Sequence, residues 1–241
     1  MSNNYFQFKQ FTVQQEHCAM KVTTDACLFG SIIAADIYHP SFAFYKILDI
    51  GAGTGLLSLM VAQKNNQVII DAVEIDEQAA NQCVHNFQAS PWNDRLHIYH
   101  SSIQEFQSIT KYNFIISNPP FFNNDLKSDD IKRNIALHSA ELSLEELLQA
   151  IKINLSHDGR FAILLPYHRI EYFESLCLKE KFYVEQKILM KQTPHHNYFR
   201  SILLFSQKKQ SIKNNDLIIK DEFNDYTTEF KNLLKDYYLH L

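Results

Sequence analysis

The sequence predicts an α/β fold in which a mostly parallel sheet of seven strands carries helices on both faces. Short runs rich in apolar, β-branched and aromatic residues alternate with longer amphipathic segments along the chain. Successive strands are joined by connections of ten or more residues, which is typical of βαβ units. Hydrophobic residues make up 46% of the 241 residues and charged residues 21%, the ordinary composition of a globular protein.

The elements follow one another in a regular order. The first five strands are predicted at 44–50, 67–75, 95–100, 112–117 and 160–166, with helices at 56–64, 76–90 and 143–155. A helix at 167–180, an antiparallel strand pair at 182–190 and 198–207, and a helix at 227–241 complete the chain. Ser143 and Glu146 have capping-box spacing. Gly159 suits the end of the helix that Ser143 begins.

Two segments stand apart from this alternation. Residues 1–40 are predicted to form an N-terminal extension of one strand and one capped helix, and residues 41–241 form the main domain. The polar segment 123–140 is weakly periodic and long for a connection inside a compact domain. Such a segment is either disordered or a functional lid.

Composition excludes several classes of function. The net charge of −4 and the pI near 6.2 exclude a strongly basic nucleic-acid coat, so any nucleic-acid contact must come from a local patch. The four cysteines form no CxxC pair, no histidine spacing matches a zinc site, and no segment is long and apolar enough for a membrane span. We therefore expect reduced thiols, no metal, no membrane contact and a cytoplasmic protein.

A glycine-rich loop, "DIGAGTG", follows the first strand and begins a helix. Its G-x-G-x-G spacing differs from that of dinucleotide-binding loops. Asp49 suits a ligand with cationic centres, and the helix N-terminus suits a carboxylate. Glu74, 19 residues after Gly55, is placed to accept both hydroxyls of a ribose. S-adenosylmethionine (AdoMet) carries all of these groups, and the two features resemble class I AdoMet-dependent methyltransferases with a Rossmann-like fold.

The stretch "SNPPFF" (117–122) ends the fourth strand with a rigid turn. Asn118 and Pro119 can offer a side-chain and a backbone oxygen to the two N–H bonds of an amine, and Pro120 stiffens the turn. Phe121 offers a face on which a base can stack. The stretch resembles motif IV of amino methyltransferases, which act on adenine N6, cytosine N4, guanine N2 or a glutamine amide. A purely structural turn is the alternative interpretation.

A wider resemblance covers nearly the whole chain. It begins with "FKQFTVQQEHCAMKVTTDACLFG" (8–30) and continues through "ILDIGAGTGLLSLMVAQ", "IDAVEID", "SPWNDRLHIYHSSI", "FIISNPPFF", "LSLEELL" and "FKNLLKDYYL". These stretches resemble the bacterial tRNA1(Val) adenine N6-methyltransferases. The resemblance implies that the N-terminal extension packs over the cofactor site.

The resemblance also implies roles for individual residues. The cofactor-binding residues it implies are Thr24, Asp25, Asp49, Gly51, Gly53, Gly55, Glu74, Ile75, Ser102 and Ile103, and the catalytic residues are Asn118, Pro119, Pro120 and Phe121. Thr24 and Asp25 would lie at a helix start beside the methionyl end of AdoMet. Ser102 stands where the family usually has an acid that holds the adenine amine, and a hydroxyl forms a weaker bond than a carboxylate.

The function implied is methyl transfer from AdoMet to the N6 amine of the adenine at position 37 of tRNA1(Val), next to the anticodon. An amino methyltransferase with another target, such as DNA adenine, rRNA guanine N2 or a protein glutamine, is the alternative. The candidate contacts to an RNA or DNA substrate are Phe122 and, in the segment 123–140, Lys127, Lys132 and Arg133; a solvated charged loop is the alternative interpretation of that segment. No obligate protein partner is evident. A binding module without chemistry is disfavoured, because both motifs are intact.

Overall fold

The computed structural model of the chain describes residues 3–18, 20–37, 45–120 and 142–241. Its strands are β1 (Tyr5–Gln7), β2 (Thr12–Gln14), β3 (Tyr45–Ile50), β4 (Val68–Glu74), β5 (Leu96–His100), β6 (Tyr112–Ser117), β7 (Leu155–Pro166), β8 (Tyr183–Lys191), β9 (Tyr198–Ser206) and β10 (Lys213–Ile218). Its described α-helices are α1 (Thr24–Ile37), α2 (Leu56–Lys64), α3 (Glu77–Gln88), α4 (Leu144–Asn154), α5 (Ile170–Lys179) and α6 (Thr228–Leu234).

The main sheet has the strand order β10-β8-β9-β7-β6-β3-β4-β5. Strands β3 to β7 are parallel to one another, whereas β9 runs antiparallel to both β7 and β8. The predicted α/β class and the antiparallel strand pair near the C-terminus are confirmed. The sheet has one strand more than the seven predicted, because β10 pairs in parallel with β8 along its outer edge.

Helices cover both faces of this sheet. Ile47 and Leu48 are consecutive in β3 and fully buried, yet they belong to two different hydrophobic clusters because side chains alternate across a strand. One cluster includes α1, α2 and α6, and the other includes α4 and α5. Within the described ranges, no helix has the length and apolar character needed to cross a bilayer.

Three local predictions were wrong, and one of them is the C-terminal helix predicted at 227–241, which ends at Leu234. The N-terminal segment forms an antiparallel hairpin of β1 and β2 rather than one strand. The helix that begins at Ser143 has the predicted capping box, but it ends at Asn154 and β7 follows directly. Gly159 therefore lies inside β7, where the register with β6 is irregular. A Cβ on Gly159 would lie 2.7 Å from side-chain atoms of Leu155, so the bulged strand requires a residue without a side chain.

Candidate active site

The parallel strands bring their carboxyl ends to one edge of the sheet, where a cavity of about 590 Å³ lies. Ligands of open α/β sheets bind at such an edge, outside the ends of the strands. Nine of the predicted site residues line this cavity: Gly51, Gly53, Glu74, Ile75, Ser102, Ile103, Asn118, Pro119 and Pro120. The ends of β3, β4 and β6 thus bring the glycine loop and the Asn-Pro-Pro turn to one site.

The glycine loop needs its glycines for two different reasons. Gly51, Gly53 and Gly55 have φ values of +71°, +54° and +79°, a region that residues with a side chain rarely adopt. A Cβ on Gly51 or Gly53 would meet no described atom within 4 Å, so a ligand can approach this backbone closely. A Cβ on Gly55 would lie 2.5 Å from the Phe87 ring, so this glycine lets α3 pack against the loop.

Glu74 fastens the glycine loop to the end of β4. Its Oε2 accepts a hydrogen bond from the Gly53 N–H at 2.8 Å, and its Oε1 accepts one from the Asp76 N–H at 2.9 Å. The side chain is buried at the cavity wall. Each carboxylate oxygen has a second acceptor position. The residue can therefore hold the loop and accept ligand hydroxyls at the same time.

Asn118 follows β6, whose end is fixed to β3 by the hydrogen bond that the Ser117 hydroxyl donates to the Ile50 carbonyl at 2.9 Å. The Oδ1 atom of Asn118 is buried, and no donor in the described part of the chain lies within hydrogen-bond distance of it. A buried acceptor without a donor is costly, so such atoms are normally paired. This oxygen is the acceptor that a ligand amine can satisfy.

Comparisons with known proteins agree on the class of enzyme. The methyltransferase small domain family matches residues 30–184. A tRNA1(Val) (adenine(37)-N6)-methyltransferase from Flavobacterium johnsoniae is 41% identical over 98% of this chain and 100% of its own length. A relative of the same name from Dyadobacter fermentans is 43% identical over 98% of each chain. This chain belongs to the tRNA1(Val) (adenine(37)-N6)-methyltransferase family.

Solved structures support the fold of this family member at much lower identity. A predicted O-methyltransferase from Agrobacterium tumefaciens has a TM-score of 0.65 at 14% identity, covering 88% of this chain and 96% of that one. The P. horikoshii protein TYW2, solved in complex with MeSAdo, has a TM-score of 0.55 at 14% identity, covering 85% of this chain and 71% of that one. The Rossmann-like methyltransferase fold predicted from the sequence is therefore confirmed.

Among the residues predicted to bind the cofactor, Asp49 has the most deeply buried side chain. It is fully buried and outside the cavity lining, and the Ser58 hydroxyl donates to its Oδ2 at 2.7 Å. Its Oδ1 has no hydrogen-bond partner among the described residues. Burial raises the pKa of this carboxyl to about 7, the charge of Glu74 adds to the rise, and hydrogen bonds from Ser58 oppose it. A direct contact with a cofactor stays a prediction.

Ser102 already has a partner within the chain. Its hydroxyl donates to Glu105 Oε2 at 3.0 Å and accepts from the Glu105 N–H at 3.2 Å. Ile103 is buried beside it, whereas 58% of Ile75 is exposed at the end of β4. Two aliphatic side chains and a hydroxyl are therefore available to a flat ring at this end of the cavity. The role of each toward such a ring stays a prediction.

The remaining predicted residues do not line the cavity in the part of the chain that the structure describes. Thr24 and Asp25 begin α1, and Asp25 Oδ2 accepts a hydrogen bond from Arg200 Nε at 2.8 Å. Gly55 lies behind the loop against α3. The predicted residues outside the described part of the chain are Phe121, Phe122, Lys127, Lys132 and Arg133.

Several residues that line the cavity were not predicted from the sequence. Cys18 and Met20 reach it from the segment between β2 and α1, and Gln104 and Glu146 lie on its other sides. Burial raises the pKa of the Cys18 thiol to about 11, with the charges of Glu74 and Asp76 adding to the rise, so this group is a neutral thiol near pH 7. The proximity of Cys18 to the loop depends on the hairpin, which no local sequence pattern indicated.

Proposed function

We propose that this chain transfers the methyl group of AdoMet to the N6 amine of an adenine in tRNA, at position 37 as in the names of its relatives. One observation carries the proposal. The buried Oδ1 of Asn118, which has no hydrogen-bond partner among the described residues, lies in the wall of the same cavity as Glu74 and the glycine loop. The cavity thus combines an acceptor for an amine with a carboxylate and an open backbone suited to a nucleoside with an amino-acid tail.

The residues present fit AdoMet as a ligand. Glu74 keeps free acceptor positions for the two ribose hydroxyls, and the open space over Gly51 and Gly53 admits the tail. Ile75 and Ile103 offer apolar contacts to the adenine ring. When bound, AdoMet supplies an electrophilic methyl group on its sulfonium.

The chain's own contribution at the amine is orientation. The lone pair of an exocyclic amine is delocalised into the ring of its base, so the amine is a weak nucleophile. We propose that Asn118 Oδ1 and the Pro119 carbonyl accept its two N–H bonds, which localises the lone pair and aims it. Pro119 and Pro120 have fixed φ values, so the acceptors keep their positions during the reaction. Because the product nitrogen is acidic, its proton can pass to water without a strong base.

We also propose that residues 1–40 act as an extension that covers the cofactor site. Cys18 and Met20 line the cavity, and the hairpin is tied to the glycine loop through Asn86. The Asn86 amide donates to the carbonyls of Gln14 at 2.9 Å and Thr54 at 2.8 Å, and its Oδ1 accepts from the Gln14 N–H at 2.8 Å. A tRNA substrate further leads us to place the protein in the cytoplasm.

The decisive experiment uses the purified chain, AdoMet with an isotopically labelled methyl group, and an unmodified tRNA1(Val) transcript. Digestion to nucleosides and mass spectrometry should detect labelled N6-methyladenosine. A transcript with guanine in place of the adenine at position 37 is the matched control and should remain unlabelled. Label on duplex DNA, on rRNA guanine or on protein glutamine, with none on the transcript, would replace the tRNA assignment with the corresponding amino methyltransferase.

A further inference from the structure

A group of two tyrosines and a lysine lies at the same edge of the sheet as Asn118; Tyr167 is exposed, and Tyr198 and Lys191 are partly exposed. Tyr167 follows β7, Lys191 ends β8 and Tyr198 begins β9. The two tyrosine rings have centroids 5.2 Å apart with an interplanar angle of 32°. The Lys191 ammonium lies 4.6 Å from the centroid of the Tyr198 ring. We call these three residues the tyrosine strip.

Strand register places the tyrosine strip beside the active site. Ser117 pairs with Ile163 of β7, and Pro166 pairs with Arg200 of β9. By this register, Asn118 lies beside the residue that follows Ile163 in β7. Tyr167 is three residues farther along the chain than that residue, a distance of about 10 Å along the strand. The lateral offset is one strand spacing to β7 and two to β9, about 5 Å each. When one nucleotide is bound with its base at Asn118, the adjacent nucleotide can therefore reach the tyrosine strip.

The charge around the strip favours an anionic partner. The segment 191–200, "KQTPHHNYFR", contains two cations and two histidines but no acidic residue. Within the described ranges, two carboxylates from other segments bond to it: Asp25 pairs with Arg200, and Asp216 accepts a hydrogen bond from the Tyr198 hydroxyl at 2.6 Å. Lys191 contacts an aromatic ring and forms no ion pair with a described residue. Its charge is available to a phosphate.

The accessible aromatic surface favours a single-stranded nucleic acid over a protein. Tyr167 is 42% exposed, and Tyr198 beside it is partly exposed. Unstacked bases of RNA loops are bound by stacking on aromatic side chains, with nearby cations on the phosphates. A base removed from its stack for reaction leaves its neighbours without a stacking partner. Such a neighbour needs the kind of surface that the strip offers.

We propose that the tyrosine strip binds a nucleotide adjacent to the methylated adenine, with its base on the Tyr167 and Tyr198 rings and its phosphate at Lys191. The inference rests on the proposed function and adds a second binding position to it. It accounts for the "KQTPHHNYFR" segment, which is otherwise without a role in the reaction.

The test uses a tRNA1(Val) anticodon stem-loop RNA with 2-aminopurine in place of the base on one side or the other of the target adenine. Stacking on a tyrosine quenches this fluorophore. We expect quenching on binding for one of the two RNAs with the wild-type protein. The quenching should be lost in Tyr198→Ala and retained in Tyr198→Phe, which keeps the ring but not the hydroxyl bonded to Asp216.

Kinetics with the full tRNA provide an independent measurement. Tyr198→Ala should raise the KM for tRNA about 5- to 100-fold, the range that corresponds to loss of one base–aromatic stack, with a much smaller change in kcat. Lys191→Ala should reduce the slope of log affinity against log salt by about one contact. Lys208→Ala is the charge-matched control at the opposite edge of the sheet, where Lys208 pairs with Asp158, and should leave that slope unchanged.

The outcomes separate this inference from the proposed function. A wild-type protein that does not methylate the tRNA refutes the function itself. A protein that methylates tRNA but quenches neither fluorescent RNA, or that keeps its KM in Tyr198→Ala, refutes the strip alone. An equal loss in Tyr198→Phe and Tyr198→Ala would assign the effect to the hydrogen bond with Asp216 and would also refute stacking. Melting curves of each variant correct for any unfolded fraction.

Discussion

Glu74 and Asn118 lie in the same cavity wall but differ in what the rest of the chain does with them. Both oxygens of Glu74 accept hydrogen bonds from backbone N–H groups of Gly53 and Asp76. The Oδ1 of Asn118 is buried without a donor among the described residues. The described fold therefore already uses the Glu74 oxygens as acceptors, whereas it supplies no donor to the Asn118 oxygen.

The difference indicates how the two halves of the cavity are built. On the side that we propose for the cofactor, Glu74 both holds the glycine loop and lines the cavity, so we expect cofactor binding and stability to be coupled there. On the side that we propose for the substrate, the prolines and the Ser117 hydrogen bond hold the turn, and the Asn118 oxygen forms no hydrogen bond with a described residue. We therefore expect a substitution of Glu74 to change both AdoMet affinity and stability, and a substitution of Asn118 to change mainly the rate of methyl transfer.

The largest effect is expected for Asn118→Ala, which removes the unpaired acceptor. The rate of methyl transfer should fall about 30- to 1,000-fold, because an acceptor oriented toward the transition state contributes about 2–4 kcal/mol. The melting temperature and AdoMet affinity should stay close to those of the wild type. Single-turnover methyl transfer, calorimetric titration and thermal melting measure the three quantities.

Ser201→Ala is the matched control for that substitution. Ser201 is fully buried, and its hydroxyl donates to the Leu165 carbonyl at 3.2 Å, away from the cavity. It should lower stability by about 1 kcal/mol without changing the rate per folded molecule. If Asn118→Ala behaved like this control, the Asn-Pro-Pro stretch would be a structural turn and the proposed mechanism would be wrong.

Glu74→Ala should affect both properties at once. We expect AdoMet affinity to fall about 10- to 100-fold, since a hydrogen bond to a charged group contributes about 1.5–3 kcal/mol. The free energy of unfolding should fall by about 1–3 kcal/mol, because two backbone N–H groups lose their acceptor. Calorimetry and urea unfolding test the two effects. Weaker binding at unchanged stability would show that the Glu74 hydrogen bonds do not shape the loop.

Asp49→Asn should change how stability depends on pH. The folded-state pKa of about 7 lies above the unfolded value of about 4, so the folded wild type binds more protons between these values and loses stability as pH rises through them. The variant lacks this proton. Its stability relative to the wild type should therefore rise by about 2–3 kcal/mol from pH 5 to pH 7 and level off above.

Urea unfolding of the ligand-free proteins between pH 5 and pH 8 measures the effect of Asp49→Asn. Asparagine keeps an oxygen that can accept from the Ser58 hydroxyl, so the packing around position 49 is preserved. Parallel stability curves for the two proteins over this range would mean that the buried carboxylate is not the titrating group.

Asn86→Ala should have the smallest effect on the cavity. It removes three hydrogen bonds that tie the hairpin to the glycine loop, and we expect AdoMet affinity to fall about two- to tenfold, a change of about 0.5–1.5 kcal/mol. Asn65→Ala is the matched control, because this buried amide also donates to two carbonyls, Ala34 and Val61, but lies outside the cavity lining. Both variants should be less stable. Only the first should bind AdoMet more weakly, as calorimetry would measure.

The main features of the fold were accessible from the sequence because each depends on neighbouring residues. The strands before the glycine loop and before Asn118 are apolar runs with clear ends, and the capping box of α4 lies within four residues. The α4 C-terminus was misplaced because Gly159 has the same signature whether it ends a helix or accommodates a strand bulge. Only its packing against Leu155 distinguishes the two.

The features that sequence analysis missed depend on distant residues or on side-chain direction. Asp25 and Arg200 are 175 positions apart, and no local pattern relates them. The sequence places Asp49 at the end of a strand beside the loop, but not its side chain against Ser58 rather than in the cavity. The arrival of Cys18 in the cavity likewise depends on the turn of the hairpin.

Strand β10 is an edge strand of the main sheet. Its composition affects whether two copies of the protein can associate through their sheet edges. Its first four residues, 213–216, read Lys-Asn-Asn-Asp and are exposed. The neighbouring strand β8 carries the buried side chains of Ile188 and Met190. Without β10, strand β8 would present unpaired backbone N–H and C=O groups at the edge of the sheet. Polar and charged border strands discourage such edge-to-edge pairing. The polarity that made β10 hard to predict from the sequence is therefore also the property expected to disfavour edge-to-edge association between copies of the protein.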